Sequence, residues 1–182
     1  MAIQSTIFKI DLELADLDRG HFSGYGLTVA RHPSETDERM MIRLLAFMLH
    51  ASPTLVFGRG LSTEDEADLR DTDAAGNIEC WIDVGLPAAK AIRRACGRSR
   101  TVVVVSYGGR AADVWCRQNS EKLVTHDNLR VLSLSAGESQ SLASLAERTM
   151  RLQCTVQDGV IWLGNQRQQI ELAPKVLFSS NP

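Results

Sequence analysis

Aromatic side chains are scarce in this 182-residue chain, at 5% of the total, and Trp81, Trp115 and Trp162 stand far apart. No row of rings that could stack on successive bases is written in the sequence, so the tryptophans read as core residues. Cys80, Cys96, Cys116 and Cys154 form no Cys-x-x-Cys pair, which excludes zinc ribbons and thioredoxin-like redox motifs; all four are expected as reduced core thiols. No apolar run approaches bilayer length, and the alternating start Met1–Ile10 lacks the layout of a secretion signal. A cytoplasmic protein with no membrane partner is therefore expected. Neither sign of charge dominates, the net value being −2, so total charge selects no partner. His21, His32, His50 and His126 lack metal-ligand spacing, no nucleophile motif is present, and Gly108-Gly109 sits in no Walker or dinucleotide pattern. Internal repeats and low-complexity tracts are missing too. What remains is 44% apolar, enough for one domain over residues 1–182 with a real core.

Charge is present but segregated. Residues 61–83 hold eight acids against Arg70 alone, whereas residues 87–122 hold eight Lys or Arg against Asp113 and Glu121. Such neighbours suit a cation site beside a phosphate-binding flank, and equally suit two solvated faces. The element pattern places them. Residues 5–14 alternate Phe8, Ile10, Leu12 and Leu14 against Lys9, Asp11 and Glu13, a half-buried strand returning as a hairpin over 22–30. Ser34 is the expected N-cap of a helix to about His50, with Asp37 completing something close to a capping box. A short strand over 55–61, an acidic loop and a strand over 78–84 follow. Pro87 opens a helix ending near Gly97, and the apolar run 101–106 then suggests a parallel crossover. Helices over 109–119 and 138–147, a strand over 129–134, and a hairpin at Asp158-Gly159 complete the pattern.

Several side chains could carry chemistry. At 100° per residue Glu38 falls within the arc of Ile42, Leu45 and Leu49, while Arg39, Arg43 and His50 define the polar side. A carboxylate turned inward needs a salt bridge, hydrogen bonds or a metal, and the spacing leaves these open. Along the strand over 78–84, Glu79, Trp81, Asp83 and Gly85 share one face. Four strand residues span roughly 13 Å, whereas Mg²⁺ takes oxygens at about 2.1 Å. Glu79 and Asp83 therefore do not ligate one ion unless the strand bends; Glu79 acts through water, holds a second ion or pairs with a basic residue. Trp115, Gln118 and Lys122 lie along one helical stripe. Gln118 and Lys122 either coat the surface or project toward a common site, with Lys90 a competing lysine.

Arg31–Met41, Ile78–Gly85, Leu17–Arg19, Arg110–Asn119 and Gln157–Leu163, with the chain from Ile7 onward, together resemble the YaeQ family. That resemblance implies an α/β fold: a mixed β-sheet core flanked by helices, restriction-endonuclease-like as a variant of the PD-(D/E)XK nucleases, with additional antiparallel hairpins. It further implies Mg²⁺-dependent cutting or processing of DNA or RNA. Glu38 and Asp83 would hold the cation, Glu79 would assist, and Lys122 with Gln118 would act on the attacking water or the phosphate; Arg93, Arg94 and Arg110 would contact phosphates outside the site. One departure stands out. The motif lysine belongs two residues after Asp83, and Gly85 is there. Loss of that lysine fits a non-catalytic nucleic-acid-binding or regulatory protein, and near-neutral charge fits a protein-interaction module.

Overall fold

A computed structural model describes residues 4–59 and 65–180. The chain runs β1 (Thr6–Asp16), β2 (His21–Arg31), α1 (Asp37–His50), β3 (Val56–Phe57), β4 (Leu69–Thr72), β5 (Ile78–Val84), α2 (Ala89–Cys96), β6 (Ser99–Ser106), α3 (Arg110–Leu123) and β7 (Leu129–Ser133). It continues through α4 (Ala136–Ala143), β8 (Thr149–Gln157), β9 (Val160–Gly164), β10 (Gln169–Leu172) and β11 (Lys175–Ser179). Two mixed sheets result, ordered β10-β9-β8-β1-β2 and β11-β7-β6-β5-β4-β3. In the second, β5, β6 and β7 are parallel neighbours joined through α2 and α3, the crossover that the run at 101–106 suggests.

The layers explain the burial. The first core packs the inner faces of both sheets around α1 and α4; the second packs the opposite face of β5–β7 against α2 and α3, through Trp81, Ile92, Val102, Val104 and Trp115. Between the sheets α1 has no solvent side, and every residue from Met40 to Met48 is buried. An apolar helix surrounded by apolar partners is what Met40–Met48 encodes. The expected polar side of this helix is thus corrected: Arg39 is nearly enclosed and Arg43 fully so.

Other boundaries shift for local reasons. Thr36, not Ser34, caps α1, its hydroxyl accepting from Arg39 N at 3.1 Å; the later start leaves Glu35 free to turn into the core. Pro87 lies before α2, which begins at Ala89, and its carbonyl accepts from Trp115 Nε1 at 2.9 Å. The fourth helix starts earlier than its acidic residue suggests, because Ser135 and Glu138 form a reciprocal capping box. Strand β3 is shorter than expected, and the rest of that expected strand includes residues 60 and 61, outside the described residues. Strands β4, β10 and β11 were not evident from the pattern. No helix among the described residues is long and apolar enough to cross a membrane. All four cysteines are free, with Cys154 buried and the others half-buried.

Gly58 fixes how β3 meets β4. Its N–H donates to Asp68 O at 2.8 Å, and an added Cβ would sit 2.0 Å from Ala67 O. Gly58→Ala is therefore expected to cost about 1–3 kcal/mol, as overpacking against backbone does. Urea unfolding checks this, and a midpoint equal to wild type would show that β4 shifts without cost.

Candidate active site

The site forms where β5 and β6 end. Chain reversals there bring together the start of α1, the residues before β4, Tyr107 after β6, and the start of α4. Open parallel sheets present ligands at this carboxyl edge.

From the core outward, charges alternate along one hydrogen-bonded line. Arg43 donates to Glu35 through Nε at 2.8 Å and Nη2 at 2.7 Å, and Nη2 also reaches Ala30 O at 2.8 Å. Glu35 Oε1 accepts in addition from Arg39 Nη1 at 2.9 Å. Arg39 Nη2 then meets both Asp68 oxygens at 2.8 Å and Val84 O at 3.2 Å. Asp68 also accepts from Val84 N at 2.7 Å. Burial works against the Arg39 charge, but Asp68 and Glu35 outweigh it and raise the guanidinium pKa. Burial likewise raises Asp68, against the pull of Arg39.

Asp83 stands beside this line with weaker support. Burial pushes its carboxyl up to about 6 and the Asp68 charge adds to the rise. The Trp81 indole, which meets no strict hydrogen-bond geometry, the Asp68 amide and Arg39 offset only part of it. Arg39 and Arg43 balance Glu35 and Asp68, so Asp83 and Glu38 are the carboxylates left in excess. Tyr107 lies in the same field; burial raises its pKa, and Glu38, Glu35 and Asp68 add to this against Arg39.

Glu38 is half-buried, as its arc suggests, but it makes no salt bridge among the described residues: Ser139 Oγ donates to it at 2.6 Å. Its helix covers the Ile82/Val84 face of β5, whereas Asp83 shares the face of Trp81. The two carboxylates thus reach the strand end from opposite sides, and no hydrogen bond joins them among the described residues. The partner that approaches Asp83 is Asp68, hidden in the acidic loop until pairing of Leu69 with Ile82 fixes its place. The signal was present as an acid immediately before a short β-compatible run.

Glu79 lies at the opposite end of β5 and pairs with Arg100 at 3.2 Å, the basic-partner option. Lys122 and Gln118 do not join the carboxylates. Helix α3 starts beside the end of β6 and runs back, so Lys122 lies about 18 Å along the axis at 1.5 Å per residue. Asn128, just beyond that helix, bonds Cys96 O and Ser99 O at the far edge. Both side chains are exposed. Lys90, in the first turn of α2, and Arg110, opening α3, are the exposed basic residues at the carboxyl edge. Arg93 is exposed, and Arg94 pairs with Asp65, tying α2 to the acidic segment. Gly85 has φ 115°, and its N–H donates to Val105 O at 2.9 Å. A lysine in that backbone would be strained, so the chain path itself favours glycine at this position.

Among the described residues no group of three or more His, Cys, Asp or Glu side chains is arranged around a metal position. A cation here would depend on Asp68, Asp83 and the Val84 carbonyl. These are hard oxygen donors of the kind Mg²⁺ and Mn²⁺ take, and the excess carboxylate charge suits a divalent ion.

Comparison with known proteins places these residues in a wider set. A family model described as YaeQ protein matches residues 1–174. "Uncharacterized protein YaeQ" of Salmonella typhi is 44% identical over 172 residues, 94% of this chain and 95% of that protein. The protein of the same name from Escherichia coli K12 is 43% identical over the same shares. The crystal structure of the YaeQ protein from Xanthomonas axonopodis pv. citri superposes with TM-score 0.93 at 41% identity, covering 96% of this chain and 99% of that one. That from Pseudomonas syringae gives 0.92 at 31%, covering 96% and 97%.

Proposed function

The chain belongs to the YaeQ family, and from that premise we propose that it processes nucleic acid by cation-assisted phosphodiester hydrolysis at the end of β5. The observation that carries this reading is the gathering of Asp68 Oδ1, Asp68 Oδ2 and Val84 O around one cationic nitrogen, with Asp83 preceding Val84 at the same strand end. A bound Mg²⁺ or Mn²⁺ would supply Lewis acidity toward a phosphate oxygen. The chain's own groups do the remainder. Asp68 and Asp83 would hold the ion, Glu38 keeps its place through Ser139, and Lys90, exposed in the first turn of α2, would supply the cationic charge that the strand lacks at Gly85. Arg110, and Arg93 farther along the basic α2–α3 layer, meet the backbone phosphates of DNA or RNA.

The test is a screen of single- and double-stranded DNA and RNA with Mg²⁺ or Mn²⁺. Cleavage that requires the ion is expected, with Asp68→Asn and Asp83→Asn each lowering the rate about 100-fold or more and Lys122→Ala leaving it near wild type. A loss in Lys122→Ala as deep as in Asp83→Asn would overturn the site as drawn. A second reading, a binding protein that does not cut, is favoured by the φ of Gly85. Cation-independent binding with steep salt dependence and no cleavage on any substrate would establish it.

A further inference from the structure

The start of α1 meets the site described above, but its last residue, His50, stands about 20 Å away along the axis at 1.5 Å per residue, where two cavities meet. One, of about 250 Å³, runs between the sheets beside the β8–β9 hairpin, walled by Leu132, Val156, Ile161 and Val176. The other, of about 550 Å³, opens along β6 and β7 past the end of the helix. His50 and Arg130 line both, so these two side chains mark the junction.

Charge at the junction is not matched. Arg130 is exposed and its side chain has no partner among the described residues. Arg19 is held in place, donating to Leu49 O at 3.1 Å and Ala51 O at 2.7 Å. Of the acids on the walls, Asp16 faces Arg19, and Asp18 accepts from the amides of Asp158 and Gly159. Asp127 lines only the outer cavity, beside Arg100, which pairs with Glu79. His50 stands in the field of Arg19 and Arg130 with no carboxylate to offset them, and its Nε2 is enclosed without a hydrogen-bond partner. A buried ring nitrogen calls for a partner, and an anionic oxygen would serve both it and the unpaired guanidinium.

We propose that this junction binds a small organic monoanion, a carboxylate whose head rests on Arg130 and His50 while its short apolar body fills the cavity beside the β8–β9 hairpin. One unpaired guanidinium balances one charge, which favours a carboxylate over a phosphate dianion. Arg130 offers its fork to the two oxygens, and His50, as the neutral Nε2–H tautomer, donates one further bond. Apolar walls with a few convergent polar groups, in a space of roughly 300–1,000 Å³, are the ordinary make-up of a small-molecule site. The proposal is independent of the chemistry at the other end of α1.

The experiment adds hexanoate to the ¹⁵N-labelled full chain at pH 7 and follows the amide signals of His50, Arg130 and Gly159, with acetate, hexanol and inorganic phosphate as comparison probes. Hexanoate is expected to shift all three saturably. Acetate, which lacks the body, and hexanol, which lacks the charge, are expected to bind at least about tenfold more weakly. Arg130→Gln, a change at an exposed position that the fold should tolerate, is expected to weaken hexanoate by at least about tenfold. Hexanol as tight as hexanoate, or equal hexanoate affinity in Arg130→Gln, would overturn the anion site, and so would the lack of any saturable shift. Inorganic phosphate binding more tightly than hexanoate would overturn the choice of a carboxylate. In wild type, nuclear Overhauser contacts are expected from the hexanoate chain to the methyls of Val156, Ile161 and Val176; saturable binding without them would overturn the placement of the body.

Discussion

Glu35→Ala is expected to cost about 3–5 kcal/mol of folding free energy, the scale for removing one partner of a buried ion pair. Glu35 is 4% exposed and accepts three hydrogen bonds, two from Arg43 and one from Arg39. Its loss leaves Arg43 fully buried with only Ala30 O as partner, and Arg43 Nη1 already lacks one. Against a total of about 5–15 kcal/mol for ordinary domains, the thermal midpoint should fall on the order of 10 °C. Replacing both charges, as Glu35→Leu with Arg43→Met, should recover most of the loss, because desolvation and attraction disappear together. Urea unfolding of the three chains measures this. A single variant within 1 kcal/mol of wild type, on the scale of ordinary surface changes, would mean that water or another group solvates Arg43.

His50, at the end of α1, should make acid stability steeply dependent on one residue. Burial lowers its pKa from 6.5 to about 4, and the Arg19 and Arg130 charges add to the effect. Nε2 is buried with no hydrogen-bond partner. Asp16 and Asp18 line the same cavity, but Asp16 faces Arg19 at 3.6 Å and Asp18 accepts from the amides of Asp158 and Gly159. The folded-state value lies below the unfolded one, so the stabilisation is present above pH 6.5 and is lost as pH falls from 6.5 toward 4. At 1.36 kcal/mol per pKa unit the full effect is about 3 kcal/mol. Asp83 runs the other way: its raised value favours the fold below pH 3.8 and that contribution is lost as pH rises toward 6. Wild type alone would therefore show a shallow profile, and the informative quantity is its difference from His50→Gln. In metal-free buffer the variant should gain about 3 kcal/mol relative to wild type between pH 6.5 and 4. Parallel profiles of the two chains over that range would sink the assignment.

Part of this was legible because it is local. The alternation from Phe8 to Leu14, the turn at Asp158-Gly159 and the strand over 78–84 depend on neighbouring residues alone, and they stand as read. The place of Asp83 at the end of β5 is legible for the same reason. The nearness of Asp68 to it is not, since an acid in a run of acids is brought beside Asp83 only when β4 pairs with β5. Glu79 and Lys122 looked like site members because periodicity reports the face of an element and not which end of the sheet it reaches. Spacing puts Arg39 and Arg43 on a polar side of α1, but a helix packed between two sheets has no solvent side, and spacing within the helix cannot reveal two covers instead of one.

The sequence by itself determined the longer helices and strands, the βαβαβ order of the parallel strands, the glycine after β5 and the family, all carried by short-range pattern or direct residue match. Only the tertiary structure decided that α1 lies between two sheets, that Glu35 and not Glu38 forms the buried ion pair, and that Asp68, Asp83 and Arg39 share one strand end. Those outcomes depend on contacts between residues far apart in the chain, where burial and charge pairing, not local propensity, set the free energy.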